Sequence, residues 1–124
     1  MKKQFGLLII AALLVSASAI LRIGSTEAAP AVNISYANDV QPILQSRCGK
    51  CHMGEFVSEG LHMDTYESLM EGSDNGPVIV PGDADESLLV HKVVEGKMPK
   101  RGPRLTMVQI QIISSWIDAG APNN

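Results

Sequence analysis

The chain contains only two cysteines, and they lie three residues apart in the segment Cys48-Gly49-Lys50-Cys51-His52. Residues three and four apart share one face of a helical turn, so both thiols and the imidazole of His52 can point to the same side. The C-x-x-C-H spacing is typical of haem attachment, in which two thiols bind the vinyl groups of one porphyrin and the histidine reaches the iron. Small Gly49 allows this turn to lie close against the ring. The motif therefore predicts a haem site.

Three other uses of the cysteine pair compete with haem attachment. A redox-active dithiol shares the C-x-x-C spacing, but it usually follows a strand in a βαβ context, which this sequence lacks. A structural zinc site needs a second pair of ligands, and only His62 and His91 remain, at no recognisable spacing. A disulfide could form in an oxidising compartment, but a ring of four residues would constrain very little of the chain. The motif favours haem over these three uses.

The N-terminus carries the features of an export signal. Lys2 and Lys3 precede an apolar run at residues 5–21 that contains no charged residue. A basic start, an apolar stretch and small residues near a cleavage site predict a secretory signal peptide, with cleavage after Ala19 or Ala28. The alternative is an uncleaved membrane anchor, since a run of 17 residues is at the lower edge of the ~17–25 that span a bilayer. Under either interpretation we expect a periplasmic domain, attached to the membrane only if this segment is retained.

The sequence divides into a predicted signal peptide at residues 1–28, a linker at 29–35 and one folded domain at 36–124. Loss of the signal peptide would leave seven basic and twelve acidic side chains, a net charge of −5. Such a balance disfavours binding to nucleic acid. A domain of this size buries a modest fraction of its surface, so it often needs a disulfide, a metal or a cofactor to be stable.

Apolar residues at helical spacing predict an all-α fold of about four short helices, with no strand. Pro42 fits the first turn of the first helix, where proline is tolerated. Capping-box patterns mark the starts of the second and fourth helices, and glycines mark helix ends. The predicted helices run from about Asp39 to Cys48, from the cap at 64–67 to Gly72, from a cap within 83–87 to Gly96, and from Thr106 to Gly120, with loops at 72–82 and 98–105.

The second axial ligand of a haem iron has several candidates in this sequence. Met98 fits best, because it follows the predicted helix end at Gly96 and precedes Pro99, which stiffens the backbone behind it. A His/Met pair raises the reduction potential and leaves no position for oxygen or peroxide. Methionines elsewhere are common packing residues. The other candidates are His62, His91, Met63, Met107 and an open site.

The predicted loop around Met98 concentrates positive charge. Residues 97–104 contain four bases and no acid, whereas residues 53–96 contain ten acids and one base. These bases could steer an acidic redox partner to the haem edge by complementary potential. They could equally solvate the loop or balance the charge of the haem propionates. The four bases are Lys97, Lys100, Arg101 and Arg104.

The segment from Tyr36 to Pro122 resembles the class I cytochrome c superfamily, and most of all the small cytochrome c domains of planctomycete-type exported proteins. The matching stretches are YANDVQPI leading into CGKCH, GL at 60–61, VPG at 80–82, SLL at 87–89, KMP at 97–99, and LTMVQIQIISSWIDAGAP at 105–122. The resemblance implies a cytochrome c-like fold around one haem c, bound covalently by Cys48 and Cys51 and ligated by His52 and Met98. It also implies that the first helix packs across the last through Val40, Leu44, Ile113 and Trp116.

These features together predict an exported mono-haem electron carrier rather than an enzyme. An iron whose two axial positions are filled has outer-sphere electron transfer as its available chemistry, and the protein leaves one haem edge accessible to partners. Two alternatives stay open. One is a haem-based ligand-binding or peroxidase-like protein with a labile sixth ligand. The other is a subunit through which electrons enter a larger complex.

Overall fold

The structure is a computed structural model, and it describes residues 33–124. The predicted signal peptide at residues 1–28, with its alternative as an anchor, lies outside the described residues, as does most of the predicted linker. Within residues 33–124, no helix is both long enough and apolar enough to cross a membrane.

The described residues form four α-helices: α1 (Gln41–His52), α2 (Tyr66–Glu71), α3 (Leu88–Val94) and α4 (Met107–Asp118). A π-helical turn at Tyr36–Val40 leads into α1, and a 3₁₀ turn at Ser58–Gly60 follows it. No strand forms between residues 33 and 124, where two isolated bridges only close tight turns. The prediction of an all-α fold with about four short helices is confirmed.

The first helical segment is longer than the sequence pattern predicts at both ends. It begins at the π-helical turn because the Ser35 hydroxyl accepts a hydrogen bond from the N–H of Asn38 and caps that turn. Pro42 lies in the first turn of α1, as predicted. The helix continues past Cys48 to His52, so the whole C-x-x-C-H motif is helical.

The caps of the other helices show where the predictions hold. Thr106 and Gln109 form the predicted capping box of α4 in both directions. The second helix starts one residue later than predicted, because its capping box joins Thr65 to Ser68. The third helix begins at Leu88, and its cap residue Ser87 lies within the predicted range of 83–87. The Ser87 hydroxyl donates to the Asp83 carbonyl and accepts from the N–H of Val80.

The core lies where the π-helical turn meets α1 and α4. The four residues expected to join the first and last helices are all at most 1% exposed: Val40, Leu44, Ile113 and Trp116. The π-helical turn, rather than α1 itself, supplies most of the contact with α4. Burial of such side chains contributes about 1.5–3 kcal/mol each, so this junction stabilises the fold substantially.

Three aromatic rings close the core on the side of the C-terminal segment. The ring of Tyr36 lies 5.2 Å from that of Tyr66 and 5.4 Å from that of Trp116, measured between centroids. The indole N–H of Trp116 donates to the Pro122 carbonyl, and the Tyr66 hydroxyl donates to the Ala121 carbonyl. Burial, with smaller contributions from Glu67 and Tyr66, raises the pKa of Tyr36 above its usual value.

The start of the helical region is bound to the C-terminal residues of the chain. Asn124 accepts hydrogen bonds from the N–H of Tyr36 through its side chain and from the N–H of Ala37 through its carbonyl. The Ser35 hydroxyl donates to the same carbonyl, and the Asn124 amide donates to the carbonyl of Ile34. Residues 34 and 35 of the predicted linker are therefore in contact with residue 124.

We expect Ile113→Ala to lower the free energy of unfolding by about 2–4 kcal/mol, because it leaves a cavity in the best-packed part of the core. Val108→Ala on the same helix removes a side chain that is 69% exposed, and we expect it to change stability by less than about 0.5 kcal/mol. Urea unfolding with an unchanged m value is the measurement. Equal effects of the two substitutions would contradict this description of the core.

Candidate haem site

The end of α1 and the loop after α3 share one cavity of about 660 Å³. The four site residues named from the sequence all line it: Cys48, Cys51, His52 and Met98. The volume lies within the range of about 300–1,000 Å³ that is usual for cofactor and ligand sites. Folding thus brings Met98 to the C-x-x-C-H motif from a position 46 residues beyond His52.

His52 is 8% exposed, and its orientation is determined by a backbone group. Nδ1 of the ring lies 3.2 Å from the carbonyl oxygen of Leu61, so the tautomer with a proton on Nδ1 donates to that oxygen. In this tautomer Nε2 keeps its lone pair and is the nitrogen available to bind a metal. The N–H of Met63 donates to the carbonyl of His52 at 2.7 Å and holds the same two segments together.

A tight turn places the Leu61 carbonyl against the imidazole. Gly60 has φ +64, and the space that a Cβ would occupy is filled by the carboxylate of Asp74. The carbonyl of Glu59 accepts from the N–H of Asp74, and its carboxylate accepts from the side chain of Asn75. The turn is therefore held between the end of α1 and the loop after α2. Sequence reasoning missed the Leu61 carbonyl, because any residue can supply one.

The two thiols differ in environment. Cys48 is partly buried and Cys51 is exposed, and both are free thiols. Burial, with a smaller contribution from Cys51, raises the pKa of Cys48 to about 11. A nucleophilic dithiol needs the opposite shift, since the thiolate is its reactive form. This environment supports the attachment interpretation of the motif over the dithiol.

Met98 lies at the beginning of the loop formed by residues 96–104, which we call the Met98 loop. Its N–H donates to the carbonyl of Lys92 at 2.9 Å, which ties the loop to α3. The side chain is partly buried and packs against the core. The following Met98–Pro99 peptide bond is cis.

Most of the other candidate axial ligands lie away from the cavity lining. His62 is 43% exposed and lies 3.5 Å from the carboxylate of Asp64. His91 is exposed, with Nε2 against the carbonyl of Asp85. Met107 is 79% exposed. Among these candidates, only Met63 lines the cavity together with Met98. The N–H of Met63 donates to the carbonyl of His52, so its backbone lies beside the histidine.

The chemistry of the lining fits a haem. A largely apolar wall would enclose a flat hydrophobic ring, the two thiols are available for thioether bonds, and one imidazole nitrogen is free for iron. Within residues 33–124, no cluster of three or more His, Cys, Asp or Glu side chains could hold a metal ion by itself. The apolar lining residues include Leu61, Met63, Val78, Leu89 and Val93.

Six bases and one acid line the cavity, and we call these bases the basic rim: Arg47, Lys50, Lys92, Lys97, Lys100 and Arg101. Three of the four bases singled out in the sequence belong to it, but Arg104 does not, because its guanidinium lies against Gly96. The Nε of Arg47 is buried and has no hydrogen-bond partner among the described residues. Arg47 and Lys50 were missed because they are far from the loop in sequence, and Lys92 because it belongs to α3 rather than to the loop.

Comparison with known proteins agrees with this geometry. Residues 48–102 match the family model described as Planctomycete cytochrome C. The chain is also 30% identical over 122 residues to hydrazine synthase subunit alpha from Kuenenia stuttgartiensis, in an alignment that covers 71% of this chain. That alignment covers 15% of the relative, so this chain corresponds to a small part of it. No solved structure matches the chain significantly.

The helical fold, the C-x-x-C-H motif and the family match together define a cytochrome c domain. More particularly, residues 48–102 belong to a small cytochrome c domain of the planctomycete type.

One member of the basic rim is partly neutralised. Nζ of Lys97 lies 2.6 Å from a carboxylate oxygen of Glu95, and both side chains are well exposed. This hydrogen bond and the charge of Lys97 lower the pKa of Glu95 below its usual value. The pair therefore favours the folded state at neutral pH, and the effect is lost as the pH falls through the lowered pKa.

We expect Lys97→Met to return the pKa of Glu95 towards its usual value, because the substitution removes the hydrogen bond and the nearby positive charge. Lys100→Met removes a base of the same loop that has no ion pair in the described structure. We expect it to leave the pKa of Glu95 unchanged. Titration of the Glu95 side-chain carbon by NMR measures both. If the pKa of Glu95 is the same in Lys97→Met as in the unmodified protein, the ion pair does not form in solution.

Proposed function

We propose that this protein is an exported electron carrier with one haem c, which passes single electrons between partner proteins. The observation that carries the proposal is the convergence of the His52 imidazole and the Met98 thioether on one cavity. Such a pair fills both axial positions of an iron and leaves outer-sphere transfer as the reaction. We propose a carrier rather than an enzyme for this reason.

The residues that would hold the haem have distinct roles. Cys48 and Cys51 would form its two thioether bonds, Nε2 of His52 would be one axial ligand, and the sulfur of Met98 would be the other. When bound, the haem supplies a reversible one-electron couple. Since the chain contains a single C-x-x-C-H motif, we propose one haem per chain.

The surrounding residues affect the reduction potential of the haem and the access of water to its iron. The Leu61 carbonyl accepts the Nδ1 proton of His52, which makes the imidazole a stronger donor to iron. The apolar wall excludes water, which lowers the local dielectric and limits access to the iron. The basic rim would attract partners that carry an acidic surface, by the complementary potential of six cationic side chains.

The place of action follows from the N-terminal sequence. A basic start followed by an uncharged apolar run is typical of a secretory signal, and haem c proteins with this feature act outside the cytoplasm. We therefore propose a periplasmic location, with membrane attachment only if the N-terminal segment is retained.

The similarity to hydrazine synthase subunit alpha favours a second candidate function. A related sequence forms a small part of a much longer protein whose name is that of an enzyme subunit. This chain could likewise deliver electrons to a larger complex as one of its subunits. Purification at moderate salt distinguishes the two, since a stable subunit retains its partners and a diffusing carrier elutes alone.

We expect Met98→Ala to abolish the weak long-wavelength absorption band that sulfur ligation gives to ferric haem, with the haem still attached after denaturation. The protein is produced in a host with cytochrome c maturation, and the oxidised spectrum is recorded. Met63→Leu is the control, because it keeps the volume of a buried methionine and should retain the band.

Loss of the band in Met63→Leu but not in Met98→Ala would transfer the ligand role to Met63. A high-spin iron in the unmodified protein would favour the ligand-binding or peroxidase-like alternative. A product without attached haem would disprove the assignment of Cys48 and Cys51.

We expect Lys100→Gln to slow oxidation of the reduced protein by ferricyanide about two- to threefold at low salt, because the rim attracts the anion less strongly. Gln111→Glu lowers the net charge by the same amount on the exposed side of α4, away from the haem cavity, and it should have little effect. Stopped-flow rates at several salt concentrations measure both. Equal slowing by the two variants would show that net charge, and not the basic rim, controls the reaction.

A further inference from the structure

The Met98 loop is held to the rest of the domain by very few polar contacts. Its first part is fixed by the hydrogen bond from Met98 N–H to the Lys92 carbonyl. In the described part of the chain, no hydrogen bond or ion pair involves residues 99–105. Leu105, just after the loop, is buried and fixes its end. A segment with so few bonds opens locally at low free energy unless something else closes it.

The two ends of the loop meet at one contact between Gly96 and Arg104, which we call the loop neck. Gly96 has φ +66, and a Cβ built on it would lie 2.6 Å from Cζ of Arg104, with one guanidinium nitrogen closer still. The guanidinium therefore occupies the space that the missing side chain leaves. Only glycine allows both this backbone conformation and this approach.

Arg104 is thus placed differently from its basic neighbours. Lys97, Lys100 and Arg101 line the cavity, whereas Arg104 is absent from its lining and packs across the neck. A planar guanidinium can lie flat against a backbone in a way that the ammonium group of lysine cannot. This contact joins Gly96, just after α3, to Arg104, which precedes the buried Leu105.

We propose that Arg104 is a positioning residue that closes the neck of the Met98 loop and thereby keeps the Met98 sulfur in the haem cavity. The proposal rests on the proposed function, in which Met98 is an axial ligand. Removal of the methionine from the cavity requires the loop to swing outward, and the packing of Arg104 over Gly96 opposes that motion. Breaking the neck should therefore speed departure of the sulfur without preventing folding, since Arg104 is exposed.

The first experiment measures how often Met98 leaves the iron. At saturating imidazole, the rate of complex formation with the oxidised protein equals the rate at which the sulfur departs. We expect Arg104→Ala to raise this rate about threefold or more, a modest effect because the contact is exposed. Gln111→Glu is the matched control, because it lowers the net charge by the same amount on α4, outside the cavity lining, and leaves the neck intact.

A second variant separates the contact from the charge. Gly96→Ala keeps the positive charge of Arg104 but displaces its guanidinium, so it should also raise the rate about threefold or more. In the double variant, the change in the logarithm of the rate should be smaller than the sum of the changes in the two single variants. The reason is that both substitutions remove the same contact. Full additivity would show that Gly96 and Arg104 act separately and would overturn the proposal.

Hydrogen exchange of the Met98 amide tests the neck independently of iron ligation. This N–H is bonded to the Lys92 carbonyl, and we expect it to exchange about threefold or more faster in Arg104→Ala than in Gln111→Glu. If Met98→Ala keeps the sulfur band, the proposed ligation is wrong, yet the amide still reports on the neck. If Arg104→Ala and Gln111→Glu have equal imidazole rates and equal amide exchange, the positioning role of Arg104 is wrong.

Discussion

The hydrogen bond between Nδ1 of His52 and the carbonyl of Leu61 connects the chemistry of the site to the backbone. It determines which ring nitrogen faces the cavity, and it depends on a turn in which Gly60 has a positive φ. The conformation of this turn depends on the hydrogen bond from the N–H of Asp74, in the loop after α2, to the carbonyl of Glu59. In the proposed haem site a fixed imidazole matters, because a metal ligand that rotates loses both affinity and a defined potential. The segment between α1 and α2 therefore serves the histidine as much as it serves packing.

The domain separates its structural core from its cofactor cavity. The core is formed by the π-helical turn, α1 and α4 around Trp116, where the side chains are almost fully buried. The cavity lies at the other end of α1, between the C-x-x-C-H motif and the Met98 loop. Because α1 belongs to both, a stable core holds one wall of the cavity in place, and the opposite wall is a loop with few hydrogen bonds of its own.

Sequence reasoning found the parts of this protein that local patterns encode. The helix starting at Thr106 follows from its own capping residues, and the all-α fold follows from helical spacing. The partner of His52 is a backbone carbonyl, which no residue type reveals. The place of Arg104 was also beyond prediction: its charge suggested the basic rim, and only the three-dimensional approach to Gly96 shows that it closes a loop. The start of α3 did follow from local pattern, since its cap residue Ser87 lies within the predicted range of 83–87.

The hydrogen bonds around Asn124 have a consequence for how such a domain can be reused. Ser35 and Asn124 lie side by side, joined by a hydroxyl-to-carbonyl bond of 2.9 Å. A folded unit whose first and last residues are neighbours can be placed within a surface loop of another protein without forcing that loop apart. Residues 35–124 can therefore join a longer polypeptide at two adjacent points, and every residue that lines the cavity lies between those points.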